Sequence, residues 1–251
     1  MENYLNQLCN KYPDFLKSLD TFPNNIRETI VKKHTESKDE TTFTSTLAEV
    51  DFAQHFISLG FDVEYEKKYL KKEPDWTLSI GNSKAICEVY RLGKSVNDQT
   101  INMSIRGIYR PIKHKPEKII QYSFLKKDNN ITHKLSKYNE VIAKTNYPYF
   151  IAIALDFASG FYVKEFAEYF RGKSVGFDCE DNSDYEALEE DKDYGTEWTE
   201  LGVFYENPQL SGLIILDNKK FYLLLNPLKS QVIYKPENHL ILDNLKRINN
   251  L

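Results

Sequence analysis

The stretch PDWTLSIGNSKAICEVYRL, residues 74–92, constrains the fold more than any other part of this chain. Two runs of strand-forming residues flank Gly81-Asn82-Ser83, the punctuation of a hairpin between two short strands. Side chains alternate along a strand, so Ile86, Glu88 and Tyr90 share one face while Ala85, Cys87 and Val89 share the other. Glu88 therefore interrupts an otherwise apolar strand, where a carboxylate is costly unless it is paired or coordinated. Asp75 opens the neighbouring strand. Two acids so placed can hold Mg²⁺, a hard cation that takes oxygen ligands and keeps water or phosphate in its remaining positions.

The rest of the pattern gives that hairpin a context. Residues 2–35 carry helical periodicity broken by Pro13 and Pro23, with Asn24-Asn25 starting the helix through Ile30 and Val31. FTSTLAEVDFAQHFISLG predicts a second helix, which carries Glu49 and stops at Gly60. Phe61 to Tyr65 alternates as a strand, and a long polar connection follows the hairpin to about residue 130. Thr132 can cap a helix through Lys134, Leu135, Tyr138, Val141 and Ile142, and YFIAIALDF then reads as a buried strand. FYVKEFAEYF looks helical, and GLIILDNKKFYLLLNP is a hairpin expected to turn at Asp217-Asn218. The expected class is α/β, a mixed central sheet flanked by helices. The expected division is a helical segment over 1–40, a core over 41–160 and an α+β extension over 161–251 packed on the core.

A chain of 251 residues, 41% hydrophobic and 14% aromatic, has ample material for a core. The N-terminal sequence has neither a basic start nor an apolar stretch, and no later apolar run nears the ~20 residues that cross a bilayer, so a cytoplasmic protein without membrane contact is expected. Cys9, Cys87 and Cys179 lie far apart and encode neither a disulfide framework nor a zinc site. The net charge of -4 is unevenly spread, since residues 178–200 hold eleven acids and one lysine and the remaining chain carries +6. That acidic segment has too few apolar residues to order itself and is expected to be a flap or partner-binding element. From Arg106 to Lys137 nine basic residues face Glu117 and Asp128, a local +7 that can follow a phosphate backbone through Arg106, Arg110, Lys113, Lys115 and Lys137. A solvated lysine-rich connection would look the same.

Glu49 on the leading helix, Gly60-Phe61-Asp62-Val63 after it, Pro74-Asp75 and Glu88-Val89 together resemble the PD-(D/E)XK nuclease superfamily, with its restriction-endonuclease-like αβββαβ core, over roughly residues 43–157. The resemblance implies metal ligation by Asp75, Glu88 and the Val89 carbonyl, with Glu49 holding a metal-bound water. It implies Mg²⁺ as the metal, with Mn²⁺ as a substitute, and DNA as the substrate without excluding RNA. Tyr90 departs from the pattern, because such a site carries a lysine two residues after its second acid. In some relatives that lysine has migrated. KLSKY followed by TNYPYFIAIALD resembles a region of uncharacterised bacterial members, which favours Lys134 as the migrated lysine, with Lys137 one turn away on the same face. The alternative is that both are solvated helix lysines.

Competing chemistries fail on spacing. Arg171-Gly172-Lys173-Ser174 imitates the end of a phosphate-binding loop, yet Ala167 stands where its first glycine belongs. The five histidines show no metal-ligand spacing, and Ser211 lacks the preceding glycine of a nucleophile elbow. Two readings remain. One is a metal-dependent DNA endonuclease of restriction, repair or phage defence, in which Glu49, Asp75, Glu88 and Lys134 are catalytic. The other is a nuclease fold without catalysis that binds nucleic acid or a protein. Further partners left open are a second copy of the chain and a protein of a defence system.

Overall fold

The structure, a computed structural model, describes residues 12–36, 40–92, 134, 136–155, 163, 167, 170, 203–228 and 232–250. Arg106, Arg110, Lys113, Lys115 and the acidic 178–200 segment lie outside the described residues.

Helix α1 (Asp14–Leu19) follows Pro13 and buries Phe15 and Leu19. Helix α2 (Asn24–Glu36) follows Pro23, whose carbonyl accepts the Ile26 and Arg27 N–H groups. Helix α3 (Glu40–Ser58) buries Phe43, Val50, Phe52, Ala53 and Phe56. It ends where the sequence places the stop: Gly60 takes φ +92°, the Gly60 N–H donates to the Ile57 carbonyl and the Phe61 N–H to the Phe56 carbonyl. These two bonds make a Schellman motif, which needs a left-handed residue and so favours glycine.

The strands β1 (Asp62–Tyr65), β2 (Trp76–Ile80) and β3 (Ser83–Leu92) form an antiparallel meander. Ser83 belongs to β3 rather than to the turn, and β3 at ten residues is longer than the short strand its sequence predicts. Lys134, Ser136 and Lys137 are helical, Tyr138 breaks the run at φ -107°, ψ 9°, and α4 (Asn139–Thr145) follows. Strand β4 (Tyr149–Leu155) then lies parallel to β3 and is buried throughout, as befits a strand covered on both faces. Past α5 (Val203–Glu206), β5 (Leu210–Asp217) pairs in parallel with β4 and antiparallel with β6 (Lys220–Leu225). The β5–β6 turn falls one residue later than expected, at Asn218 and Lys219, whose φ of +47° and +65° give the doubly left-handed turn that suits a two-residue hairpin. Two 3₁₀ turns (Val232–Tyr234 and Pro236–Asn238), α6 (His239–Leu245) and the two-residue β7 (Asn249–Asn250) complete the described elements.

The class is therefore mixed α/β: an open mixed sheet ordered β1 to β7 with helices against it. Strand alternation sorts its side chains into two cores. Ala85, Cys87, Val89, Phe150, Ala152 and Ile214 meet α1, α2, α3 and α6 on one face. Ile86, Tyr149, Ile151, Ile153, Leu213 and Ile215 meet Val141, Ile142, Phe170 and Phe204 on the other. Strands β5 and β6 continue the same sheet across the boundary drawn at residue 160. Among the described residues no helix is long and apolar enough to cross a membrane.

Candidate metal centre

The site begins where two paired strands part. The β2–β3 ladder starts at Trp76↔Cys87, while β3 runs on to Leu92 paired with β4 alone. The Ile86 N–H faces β4, donating to the Pro148 carbonyl at 2.9 Å, so by alternation the N–H and carbonyl of Val89 face the gap left by β2. Asp75, just before β2, takes up one of these groups: the Val89 N–H donates to Asp75 Oδ2 at 2.7 Å. Lys134 takes up the other, donating from Nζ to the Val89 carbonyl at 2.9 Å. An obligatory backbone pairing is thereby replaced by side chains on both counts.

The Lys134 ammonium also lies 2.8 Å from Glu88 Oε2 and 3.9 Å from Asp75 Oδ2. Three oxygens, two from β3 and one from the residue before β2, thus gather round one cation. Glu88 is 1% exposed, and its Oε1 accepts from Lys137 Nζ at 2.9 Å and from the Tyr138 hydroxyl. The same hydroxyl lies 2.9 Å from the Glu73 carbonyl. The break at Tyr138 lets consecutive residues 137 and 138 both reach one carboxylate oxygen. The Tyr149 hydroxyl holds the Lys134 carbonyl at 2.7 Å, tying this segment to β4.

Glu49 approaches from α3. It is buried, and its Oε2 accepts from the Tyr65 hydroxyl at 2.8 Å. Lys33 of α2 donates to the Tyr65 oxygen at 2.8 Å and to Glu66 Oε1 at 2.8 Å. A third ammonium thereby reaches a third acid through a tyrosine.

These surroundings drive the acids apart. Burial, followed by the charges of Glu88 and Glu49, pushes the Asp75 carboxyl up to about 7 against the pull of Lys134 and the Val89 N–H. Burial also raises Glu49, with Lys33 and Tyr65 opposing. Burial works upward on Glu88 too, but Lys134, Tyr138 and Lys137 outweigh it and hold the group below the ordinary carboxylate value. Burial works to lower Lys134, yet Glu88, Asp75 and Glu49 hold its ammonium above the usual lysine value. Opposed shifts among neighbouring groups distinguish this cluster from an ordinary surface ion pair.

Of the residues singled out in the sequence, the structure brings Glu49, Asp75, Glu88, Val89 and Lys134 into one cluster, and Lys137 joins them through Glu88. Lys134 and Lys137 are inward-turned partners of an acid, not solvated helix lysines. Tyr90 packs against the second core. The sequence reading missed Lys33, Tyr65 and Tyr138. Tyr65 follows Val63 by two residues and so shares its inward face towards α3, a signal that was available. Lys33 sits on a separate helix and gives no local signal. Ser211 is buried with its Oγ accepting the Tyr149 N–H, a structural role.

Among the described residues no three His, Cys, Asp or Glu side chains assemble into a metal-binding group. The donor set is two carboxylates and a backbone carbonyl, all hard oxygens, and these three already converge on a positive charge. That chemistry fits Mg²⁺ or Mn²⁺. Fold and site together define a mixed α/β protein with a buried centre of carboxylates and ammonium groups at the split of two strands. No family model, curated protein or solved structure matches the chain.

Proposed function

We propose that the chain is a Mg²⁺-dependent phosphodiesterase acting on DNA, built on a restriction-endonuclease-like core of the PD-(D/E)XK type. The observation that carries this reading is the convergence of Asp75 Oδ2, Glu88 Oε2 and the Val89 carbonyl on the single Lys134 ammonium. The order α3, β1, β2, β3, the helical segment with α4, and β4 supports the fold assignment. Asp75, Glu88 and Val89 would hold the metal, with Mn²⁺ able to replace Mg²⁺. A bound ion of this kind supplies a Lewis acid to a phosphate oxygen and lowers the pKa of water.

The chain's own groups divide the remaining work. Lys134, whose ammonium stands among these oxygens, would supply positive charge beside the phosphate. Glu49, anchored by Tyr65, orients water. Tyr138 and Lys137 fix the Glu88 carboxylate. These supporting bonds bear on function because a ligand held loosely by its neighbours loses affinity and rate.

The same convergence favours a second reading. A lysine that binds the Val89 carbonyl and Glu88 and lies 3.9 Å from Asp75 balances the charge of the site without a metal, as in a nuclease fold that binds nucleic acid and does not cut it. Nicking of supercoiled plasmid with Mg²⁺, Mn²⁺ or EDTA separates the two. The enzyme reading expects nicking that needs metal and falls by about 10² or more in Asp75→Asn. Intact DNA and RNA under both metals, with salt-sensitive binding retained, would leave the binding module.

A further inference from the structure

The connection from β1 to β2 reads KKYLKK over residues 67–72, four lysines round a tyrosine and a leucine. It is built as a small hairpin. The Glu66 N–H donates to the Asp75 carbonyl at 3.1 Å and closes the base. Nearer the tip, Tyr69 and Lys72 exchange backbone hydrogen bonds at 2.7 and 2.8 Å and leave Leu70 and Lys71 at the turn. Tyr69 anchors the hairpin by an edge contact with Tyr147, ring centroids 5.8 Å apart.

Leu70 is the anomaly. It holds φ at +56°, where glycine or asparagine is unstrained and leucine is not, and the residue is 49% exposed. Folding gains little from an exposed leucine in a strained conformation, and strain of this kind gathers at functional sites. Lys68, Lys71 and Lys72 are also exposed. Lys68 lies 3.9 Å from Glu73, and among the described residues neither Lys71 nor Lys72 has an ion-pair partner. Among the described residues the tip therefore presents one apolar side chain between ammonium groups that no acid pairs.

The base is fastened to the candidate metal centre. Glu66 is held by Lys33, the Glu73 carbonyl lies 2.9 Å from the Tyr138 hydroxyl, and Asp75 accepts from the Val89 N–H. Leu70 lies five positions before Asp75, a reach of at most about 18 Å, roughly half of the ~34 Å turn of a duplex. A phosphate at Asp75 and a base step at Leu70 can thus belong to one site on one duplex.

We infer that the 66–75 hairpin is a DNA-gripping wedge, in which Lys71 and Lys72 contact phosphates while Leu70 enters the minor groove and partly unstacks a base step. Apolar side chains flanked by cations bind DNA in this way, with phosphate contacts for affinity and the wedge for deformation. The inference rests on the reading of DNA as the substrate.

The test is binding of a fluorescent duplex to the full chain in EDTA across a salt series, with a second duplex carrying 2-aminopurine to report unstacking. Lys71→Ala/Lys72→Ala is expected to lower the slope of log affinity against log salt by about 2, at about 0.9 per phosphate. Leu70→Gly should keep or raise thermal stability, because glycine accepts φ +56° without strain. It should nevertheless weaken binding about tenfold, the worth of burying a leucine side chain, and abolish the 2-aminopurine signal of the wild type. An unchanged salt slope overturns the phosphate contacts, and a Leu70→Gly protein with wild-type affinity and signal overturns the wedge. Either result defeats the hairpin's role alone, since metal-dependent nicking by the wild type decides the enzyme reading separately. Loss of binding in the variants of a protein that never nicks DNA would instead sustain the wedge and defeat the enzyme reading.

Discussion

Glu88 sets the behaviour of its neighbours because it is the acid both ammonium groups share. Two acidic metal ligands with no metal between them repel each other, so alanine at either is expected to relieve repulsion. The structure keeps that expectation for Asp75, whose carboxylate is opposed by Glu88 and Glu49, and reverses it for Glu88. Glu88→Ala takes from Lys134 and Lys137 the acid they share and should destabilise the metal-free protein by about 1.5–3 kcal/mol. Asp75→Asn should leave the midpoint of urea unfolding unchanged or higher, and equal losses for both would refute the asymmetry. The two lysines separate in the same manner. Lys134 touches Glu88 and the Val89 carbonyl and lies near Asp75, whereas Lys137 meets Glu88 alone among these groups. Lys134→Ala should therefore reduce plasmid nicking by about 10² or more and Lys137→Ala by much less. Nicking by Lys134→Ala at the wild-type rate would show that the role vacated at Tyr90 lies elsewhere.

Among the elements, α3 does two jobs: Glu49 serves the centre while its outer turns pack against β6. His55 lies flat on Phe221 with ring centroids 3.7 Å apart and planes at 7°. Its buried Nε2 has no hydrogen-bond partner among the described residues, and burial lowers its pKa. The sign follows from linkage. Below about pH 6.5 the unfolded chain binds a proton that the folded imidazole refuses, so stability is full above that pH and declines as pH falls through it. The Tm of His55→Phe should accordingly fall less than that of the wild type between pH 7.5 and 5.5, and parallel curves would rule His55 out as the cause. The helices and strands themselves were largely legible, because Gly60, the alternation of β3 and the apolar run of β4 are local signals. What escaped is non-local. The break at Tyr138 places two side chains on Glu88, fifty residues away along the chain in the case of Tyr138. The freed backbone of Val89 depends on where β2 ends, and the Lys33–Tyr65–Glu49 relay joins three elements. Periodicity carries none of this, since it reports which face a residue occupies and not what stands opposite.

Taken whole, the molecule is organised by one sheet, and the candidate centre depends on parts of it that touch no site residue. The centre needs β3 and β4 in register, because β4 pairs with the stretch of β3 that bears Glu88 and Val89. Strand β4 is in turn buried along its full length, with β5 hydrogen-bonded to its other side. The second core is closed by Leu213, Ile215 and Leu224 of β5 and β6 together with Phe204. A chain cut after residue 160, at the boundary the sequence pattern draws, would turn β4 into a long apolar edge and leave Tyr149, Ile151 and Ile153 without that cover. Such edges pair with other chains instead of holding a native structure. The truncated protein is therefore expected to lose its near-ultraviolet dichroism and to aggregate, while the full chain unfolds in one transition that is the same by tryptophan fluorescence and by far-ultraviolet dichroism. A soluble 1–160 fragment with a cooperative thermal transition would show instead that β5 and β6 are an appendage, and that the centre is carried by β1 to β4 alone.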